Sequence, residues 1–257
     1  MLEYKEIKDK FNLSFSELLN NNSSLKYLLY EIFVYGSAYI VGGYLRDLIN
    51  DKSSRDIDII IDLKHEKLLE LLRDSNSIYA INRHNGIKIQ YKNVEVDMWS
   101  IENNWAFKNN LVKLNDEKKL NSIAKGCFYN FDALVINLHT SNLDIKYYND
   151  FIKNNCLEIL QSSPLYKNLN PTTEANILRA FYLRKLYNID YSSNTKQYLI
   201  KKIGNIRDRN KNSINKLLET KLKYPKYDNT LSNDDLYFYI NELINSNEIN
   251  NQFLLKL

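Results

Sequence analysis

The sequence contains little cysteine, proline or glycine. Its 257 residues include two Cys, three Pro and six Gly. Cys127 and Cys156 are too few for a disulfide framework or a zinc cluster, which favours reduced thiols and a cytoplasmic protein. We find no internal repeat and no low-complexity linker. The composition therefore excludes small disulfide-stabilised secreted domains and cysteine-rich metal proteins.

Long hydrophobic runs are also missing. No run approaches the roughly 18 consecutive apolar residues that a membrane span requires. The N-terminal segment MLEYKEIKDK carries charges of both signs and no apolar stretch, unlike a signal peptide. Apolar residues make up 44% and charged residues 26%, which is ordinary globular usage and excludes general disorder. We expect one large or two small globular domains with an ample core and no membrane partner.

The first 150 residues mix strand and helix patterns. A short β-rich run covers 38–41, and RDIDIIID at 55–62 alternates acidic and isoleucine side chains with period two. Helical patterns cover 15–34, with a break near 20–24, and then 44–50 and 64–74. Further strands are predicted at 78–81, 87–91 and 94–99, while 132–138 fits either a strand or a buried helix.

From about residue 150 the pattern is helical. Helices are predicted at 151–161, 174–187, 195–203, 211–222 and 233–245. The prediction is therefore an α+β protein with a small mixed-sheet domain over 1–150 and an all-helical domain over 151–257.

Two aspartates share one face of the strand predicted over 55–62. Asp56 and Asp58 do so because successive side chains of a strand alternate. Such carboxylates suit Mg²⁺, which proteins typically hold with one or two carboxylates plus substrate phosphates. A solvated polar face is the alternative for a bare D-x-D. Asp97 in the strand over 94–99 adds a third carboxylate, and three such groups oppose each other's ionisation without a cation. We therefore predict that Asp56, Asp58 and Asp97 hold two Mg²⁺ ions for phosphoryl transfer.

A glycine pair separates the first predicted strand from the next helix. Gly42 and Gly43 let backbone N–H groups approach a phosphate, and a helix start favours negative charge. Arg46, one turn later, adds a charge-assisted contact to a triphosphate. A tight turn and an exposed helix cation are the ordinary alternatives. The glycine pair, Arg46 and the D-x-D strand together make a more specific signal than any of them alone.

A basic segment lies near the C-terminal end. Residues 201–226 contain nine basic and two acidic side chains, in a chain of net charge +4. With Tyr224 and Tyr227 this composition suits a surface that follows a phosphate backbone and stacks bases. A solvated helical face is the alternative. The candidate RNA-binding residues are Lys201, Lys202, Arg207, Arg209 and Lys211.

Two segments resemble a known family: IVGGYLRD at 40–47 and RDID at 55–58. They are similar to the head domain of bacterial poly(A) polymerases and class II CCA-adding tRNA nucleotidyltransferases, in the DNA polymerase β-like nucleotidyltransferase superfamily. Its signature is a V-G-G-x-V-R-D helix start followed by hydrophobic-D-hydrophobic-D. The resemblance implies a nucleotidyltransferase head with a helical neck and body, Mg²⁺ at the D-x-D and triphosphate at the glycine pair and Arg46. It also implies that Asp47 pairs with nearby basic residues.

Beyond the head motif two weaker similarities remain. FYNFDAL at 128–134 is similar to the family's R-R-D-F-T-I-N-A-L segment, with Asp132 where the family has Asn. TTEANILRA at 172–180 is similar to the E-D-x-x-R-h-L-R-A helix and keeps Arg179, but has Asn176 at the first arginine. The resemblance thus implies nucleotide contacts at Asp132 and Arg179.

These observations predict a Mg²⁺-dependent nucleotidyltransferase. It would transfer a nucleoside monophosphate from ATP or CTP to an acceptor hydroxyl and release pyrophosphate. The resemblance and the basic segment favour an RNA 3′ end, in particular tRNA. A toxin- or defence-type enzyme that modifies tRNA, a protein or a small molecule is an alternative, because the acid and arginine with which CCA-adding enzymes read the base are absent. A non-catalytic nucleotide- or RNA-binding module is a second alternative, against which the retained acids argue.

Overall fold

The computed structural model describes residues 4–54, 56–75, 77–92, 94–161, 172–210 and 212–254. The chain forms two compact units, Met1–Asn154 and Asn155–Leu257. This division falls close to the boundary predicted at 150/151. The functions assigned to the two domains stay predictions.

The first unit consists of a sheet and of short and medium-length helices. The predicted break near 20–24 is a single residue, Asn22, between two helices. Their apolar faces are buried at Phe11, Phe15, Leu28 and Ile32. The helices of this unit are α1 (Tyr4–Asn21), α2 (Ser23–Tyr35), α3 (Gly43–Ile49), α4 (His65–Asp74), α5 (Trp105–Lys108), α6 (Lys119–Lys125) and α7 (Lys146–Asn154).

Seven strands form the mixed sheet of this unit. They are β1 (Ala38–Val41), β2 (Asp56–Ile61), β3 (Tyr79–Ile81), β4 (Ile87–Gln90), β5 (Glu95–Ser100), β6 (Val135–Asn137) and β7 (Leu143–Asp144). Their spatial order is β3-β4-β5-β2-β1-β6-β7. β2 and β5 run parallel, and the other neighbouring pairs are antiparallel. The ambiguous segment 132–138 thus contributes a strand, and the predicted α+β class is confirmed.

One face of the two central strands is packed in the core. Ile57 and Ile59 of β2 and Val96 and Met98 of β5 are fully buried on that face. Because strand side chains alternate, the residues between them must point to the opposite face. The apolar pattern of the two strands therefore decides where their acidic side chains lie.

In the residues that the structure describes, the second unit is helical apart from one short strand pair. It contains α8 (Thr173–Tyr187), α9 (Ser193–Asn210), α10 (Ser213–Lys221), α11 (Pro225–Asp228) and α12 (Asn233–Leu254), with β8 (Cys156–Leu157) parallel to β9 (Asp190–Tyr191). Within the described segments no helix is long and apolar enough to cross a bilayer.

The helix predicted over 151–161 is wrong in its second half. The observed helix α7 ends at Asn154, and Cys156–Leu157 forms strand β8. Asn155 between them has φ +46°, a left-handed conformation that ends a helix and that Asn tolerates well. The chain then pairs with β9, which lies more than 30 residues away.

Candidate active site

Four carboxylates lie on one face of the parallel strands β2 and β5. In their register Asp58 pairs with Asp97, and Asp56 pairs with Glu95. Residues paired across neighbouring strands share a face, so these side chains all lie opposite the buried isoleucines. Asp58 is exposed, and the other three are partly exposed. We call this surface the acid face. The sequence predicted three of its members as metal ligands, and Glu95 is the fourth carboxylate.

Lys88 on β4 also belongs to the acid face. It is the direct cross-strand partner of Asp97. Its Nζ donates a hydrogen bond to Glu95 Oε1 at 2.7 Å and lies 3.8 Å from Asp97 Oδ1. The hydrogen bond to Glu95 and the charges of Asp97, Glu95 and Asp56 raise the pKa of Lys88. Sequence reasoning missed this residue, although the alternation of buried Ile87 and Ile89 in β4 is the signal that would have located it.

The acid face is open rather than a closed cage. Among the described residues, no three His, Cys, Asp or Glu side chains converge as a metal site would require. The structure does bring Asp58 and Asp97 together as partners on neighbouring strands. Asp56 lies two residues before Asp58, on the same face of β2. Their assignment as metal ligands stays a prediction.

The glycine turn adjoins the acid face. Val41, the last residue of β1, pairs with Asp58, so the chain enters the turn beside that carboxylate. Gly42 has φ +79° and ψ −121°, a conformation that L side chains rarely adopt. Its N–H donates to the Leu134 carbonyl at 3.0 Å. The turn predicted at the glycine pair is therefore present, and Gly42 is the residue that requires glycine.

Arg46 is fixed by two carboxylates beside this turn. Its Nη1 donates to Asp132 Oδ1 at 2.6 Å, and its Nη2 and Nε donate to Asp47 Oδ1 at 2.8 and 3.0 Å. The guanidinium carbon also lies 4.7 Å from the centre of the Phe131 ring. All three charged side chains are largely buried. The pairing of Asp47 implied by the resemblance is thus observed, and Asp132 lies within the candidate site.

The segment 128–134, which is similar to the family's R-R-D-F-T-I-N-A-L, is mostly internal. Tyr129 is fully buried and Asn130 is nearly so. The Cys127 thiol donates to the Asp132 carbonyl at 3.2 Å, which ties the residue before this segment to its second half.

The remaining predicted residues lie in the second unit. Arg179 is a partly buried residue of α8. Lys201, Arg207 and Arg209 are exposed on α9, while Lys211 falls outside the described residues. Burial, and then repulsion by Lys201 and Arg209, lowers the pKa of Lys202. The charges of Lys201 and Arg209 thus act on Lys202, whereas Arg207 lies 3.5 Å from Asp208.

Comparison with known proteins supports the assignment of the first unit. Residues 38–141 match the family model of the poly A polymerase head domain. No curated protein matches the chain.

Three solved structures illustrate the similarity in fold. A tRNA nucleotidyltransferase solved with a primer tRNA and an incoming ATP analogue is 17% identical, with a TM-score of 0.54 over 80% of this chain and 58% of its own. A CCA-adding enzyme solved with CTP is 15% identical, with a TM-score of 0.58 over 82% of this chain and 48% of its own. A Thermotoga maritima CCA-adding enzyme complexed with tRNA-CCA is 14% identical, with a TM-score of 0.58 over 82% of this chain and 47% of its own.

This chain thus spans about half the length of the solved structures that it matches. The head-domain match and the shared fold both support the predicted class, a nucleotidyltransferase. They confirm the resemblance found in the motifs: residues 38–141 are similar to the poly A polymerase head domain, and the chain shares its fold with CCA-adding enzymes.

Proposed function

We propose that the chain is a Mg²⁺-dependent nucleotidyltransferase. It transfers a nucleoside monophosphate from an NTP to an acceptor hydroxyl and releases pyrophosphate. The observation that carries this proposal is a pair of strand registers, which set Asp58 beside both Asp97 and Val41. Carboxylates suited to cations and a glycine turn suited to phosphates therefore adjoin on one surface.

The donor set of the acid face fits Mg²⁺. Asp56, Asp58 and Asp97 offer the hard oxygen donors that this ion prefers. The face already attracts a cationic group, because the ammonium of Lys88 lies 3.8 Å from Asp97. These three aspartates would hold the metal, and bound Mg²⁺ stabilises the charge on the attacking and leaving oxygens of a phosphoryl transfer.

The other residues of the site would bind and orient the substrates. Gly43 is partly exposed at the start of α3 and has no Cβ, so a triphosphate can approach the turn closely there. Arg46 contributes a cation whose orientation is set in advance by Asp47 and Asp132. The carboxylate of Asp97 would accept the proton of the attacking hydroxyl.

An RNA 3′ end, and tRNA in particular, is the proposed acceptor. Two of the structurally similar proteins were solved with tRNA. The basic side chains of α9 suit a phosphate backbone because neutralised phosphates release bound counterions; they are Lys201, Lys202, Arg207 and Arg209.

One observation favours a different acceptor. The positions at which CCA-adding relatives read the incoming base are altered here, and Asn176, which stands at the first arginine, is buried. A toxin- or defence-type enzyme that modifies tRNA, a protein or a small molecule keeps the acid face but needs no C-then-A selection. This second candidate differs from the first only in its acceptor.

Incubation with labelled nucleotides tests both candidates. Each α-labelled NTP is supplied with Mg²⁺ and, in separate reactions, tRNA lacking its 3′ CCA, total RNA, or a cell extract. Label in the 3′ end of tRNA supports the first candidate, and label in protein or small solutes supports the second. The double variant Asp56→Ala/Asp58→Ala should lose incorporation and pyrophosphate release while keeping its far-UV circular dichroism.

The matched control is Asp74→Asn, which changes an exposed aspartate at the end of α4. It should keep full activity. Full activity in the double variant, or release of no pyrophosphate by the wild type with any acceptor, would overturn the proposed function.

A further inference from the structure

Lys88 lies where a cation bound to the acid face would also lie. Its ammonium group contacts Glu95 at 2.7 Å and reaches to 3.8 Å from Asp97. The cross-strand register fixes this arrangement, because Lys88 and Asp97 are direct partners in the antiparallel pair β4–β5. The pairing of β4 with β5 therefore places the lysine beside Asp97, whichever rotamer its side chain adopts.

Stability alone does not explain a lysine at this position. The side chain is 47% exposed, and ion pairs at such sites typically contribute only about 0–1 kcal/mol. Its effect on local charge is larger, because it adds a positive charge to a surface that carries Asp56, Asp58, Glu95 and Asp97. A divalent cation that approaches Asp97 meets repulsion from this ammonium group at close range.

We propose that the charge of Lys88 partly neutralises the acid face and so weakens its affinity for divalent cations in the free protein. The inference rests on the proposed function, since it takes the acid face as the metal site. The shorter contact to Glu95 can persist while the longer one to Asp97 is given up. A divalent cation that arrives with a triphosphate brings further anionic oxygens to the site, and these compensate for the lysine charge. Metal binding would therefore depend strongly on nucleotide.

Mn²⁺ binding to the full chain tests this role without measuring catalysis. Free Mn²⁺ is followed by electron paramagnetic resonance during titration of the wild type, Lys88→Met and Lys88→Arg. Lys88→Met should bind Mn²⁺ about tenfold more tightly than the wild type, because a charge about 4 Å away is removed. Lys88→Arg should stay near the wild type. Lys92→Met, which removes an exposed lysine from the following turn, is the matched control and should also stay near it.

The same titration is repeated with a non-hydrolysable NTP analogue, so that failure of the Lys88 proposal can be distinguished from failure of the proposed function. If Asp58→Asn shows that Mn²⁺ binding depends on Asp58, the Mn²⁺ affinity of Lys88→Met decides the role of Lys88. An affinity equal to or weaker than that of the wild type overturns that role. Absence of Asp58-dependent Mn²⁺ binding in the wild type and all variants, with and without the analogue, overturns the proposed function itself. Thermal melts of each variant establish that it is folded.

Discussion

Arg46 and Asp132 form a 2.6 Å ion pair between residues that are 86 positions apart in the chain. The arginine lies on α3, just after the glycine turn, and the aspartate ends the short 3-10 helix Asn130–Asp132. Hydrogen bonds between charged groups contribute about 1.5–3 kcal/mol each. This pair therefore holds the 3-10 helix Asn130–Asp132 against the start of α3.

Substitution Asp132→Ala should weaken both the fold and nucleotide binding. Arg46 keeps its contacts to Asp47 but loses the anchor that faces the glycine turn, so its guanidinium is less well oriented for a triphosphate. We expect a loss of about 1–3 kcal/mol in unfolding free energy and a higher KM for NTP. Thermal denaturation and steady-state kinetics measure the two effects.

The exposed ion pair between Lys10 and Asp51 provides the control for this variant. Asp51 is 79% exposed and has φ +52°, a conformation that Asn tolerates. Asp51→Asn should change stability by less than about 0.5 kcal/mol. An unchanged KM and melting temperature in Asp132→Ala would show that the buried pair has no such role.

Gly42→Ala should destabilise the protein through backbone strain. A Cβ at this position would lie 3.6 Å from the Asp132 carbonyl oxygen, which is ordinary contact, so crowding is not the cause. The cost comes from φ +79° and is about 1–3 kcal/mol. Gly43→Ala is the comparison, because Gly43 starts α3 without a positive φ and should be neutral or slightly stabilising. Equal melting temperatures for the two variants would contradict the strain argument.

Gly86→Ala should destabilise the protein by crowding. An added Cβ would overlap the Trp99 ring of β5 and the Asn82 amide in the turn between β3 and β4. Overpacking of this kind costs about 1–3 kcal/mol.

Gly204→Ala in α9 is the opposite case, since no atom lies within 4 Å of its added Cβ, and it should stabilise the protein by about 0.5–1 kcal/mol. Chemical denaturation of both variants measures the signs, and a loss of stability in Gly204→Ala would refute the second expectation.

Asp235 should make stability depend on pH in the acid range. It accepts hydrogen bonds from Lys185 Nζ at 2.7 Å and from the N–H and Oγ of Ser232 at 2.8 Å, while its own N–H donates to Ser232 Oγ. Burial acts to raise the pKa of Asp235, but the hydrogen bonds from Lys185 and Ser232 outweigh it and lower the pKa. The reciprocal bonds with Ser232 form a capping box at the start of α12.

A carboxyl group whose pKa is lower in the folded state stabilises the fold above its unfolded value, about 3.9. This contribution is lost as the pH falls through the folded pKa. Asp235→Asn should therefore be less stable than the wild type at pH 7, by about 1 kcal/mol, and the difference should shrink below about pH 4. Denaturation from pH 7 to 3 measures this, with the exposed neighbour Asp234→Asn as control. A difference that stays constant over this range would count against the interpretation.

The head motif was predictable from the sequence because its signals are local. The period-two alternation in 55–62 places Asp56 and Asp58 on one face of β2, and the glycine pair marks the turn between β1 and α3. That Asp97 lies beside Asp58 depends on the parallel pairing of β2 with β5, which sequence could state only as a condition.

Features that depend on distant pairing were not predictable in this way. Strand β8 was predicted as helix because its partner β9 lies far along the chain, although Asn155 offered a local sign of the helix end. Lys88 was overlooked because its meaning comes from the register of β4 against β5 and not from any motif. The anchoring of Arg46 by Asp132 likewise joins two segments with no local relation.

The position of Lys88 near the edge of the sheet links the charge of the acid face to local opening of the protein. β4 lies between the edge strand β3 and the more central β5, whereas Asp58 lies on β2 in the interior of the sheet. Peripheral hairpins open at lower free energy than central strands. An opening of the β3–β4 hairpin would carry the lysine away and leave the aspartates in place. Hydrogen exchange in that hairpin and cation affinity of the acid face should therefore change together with temperature, well below global unfolding.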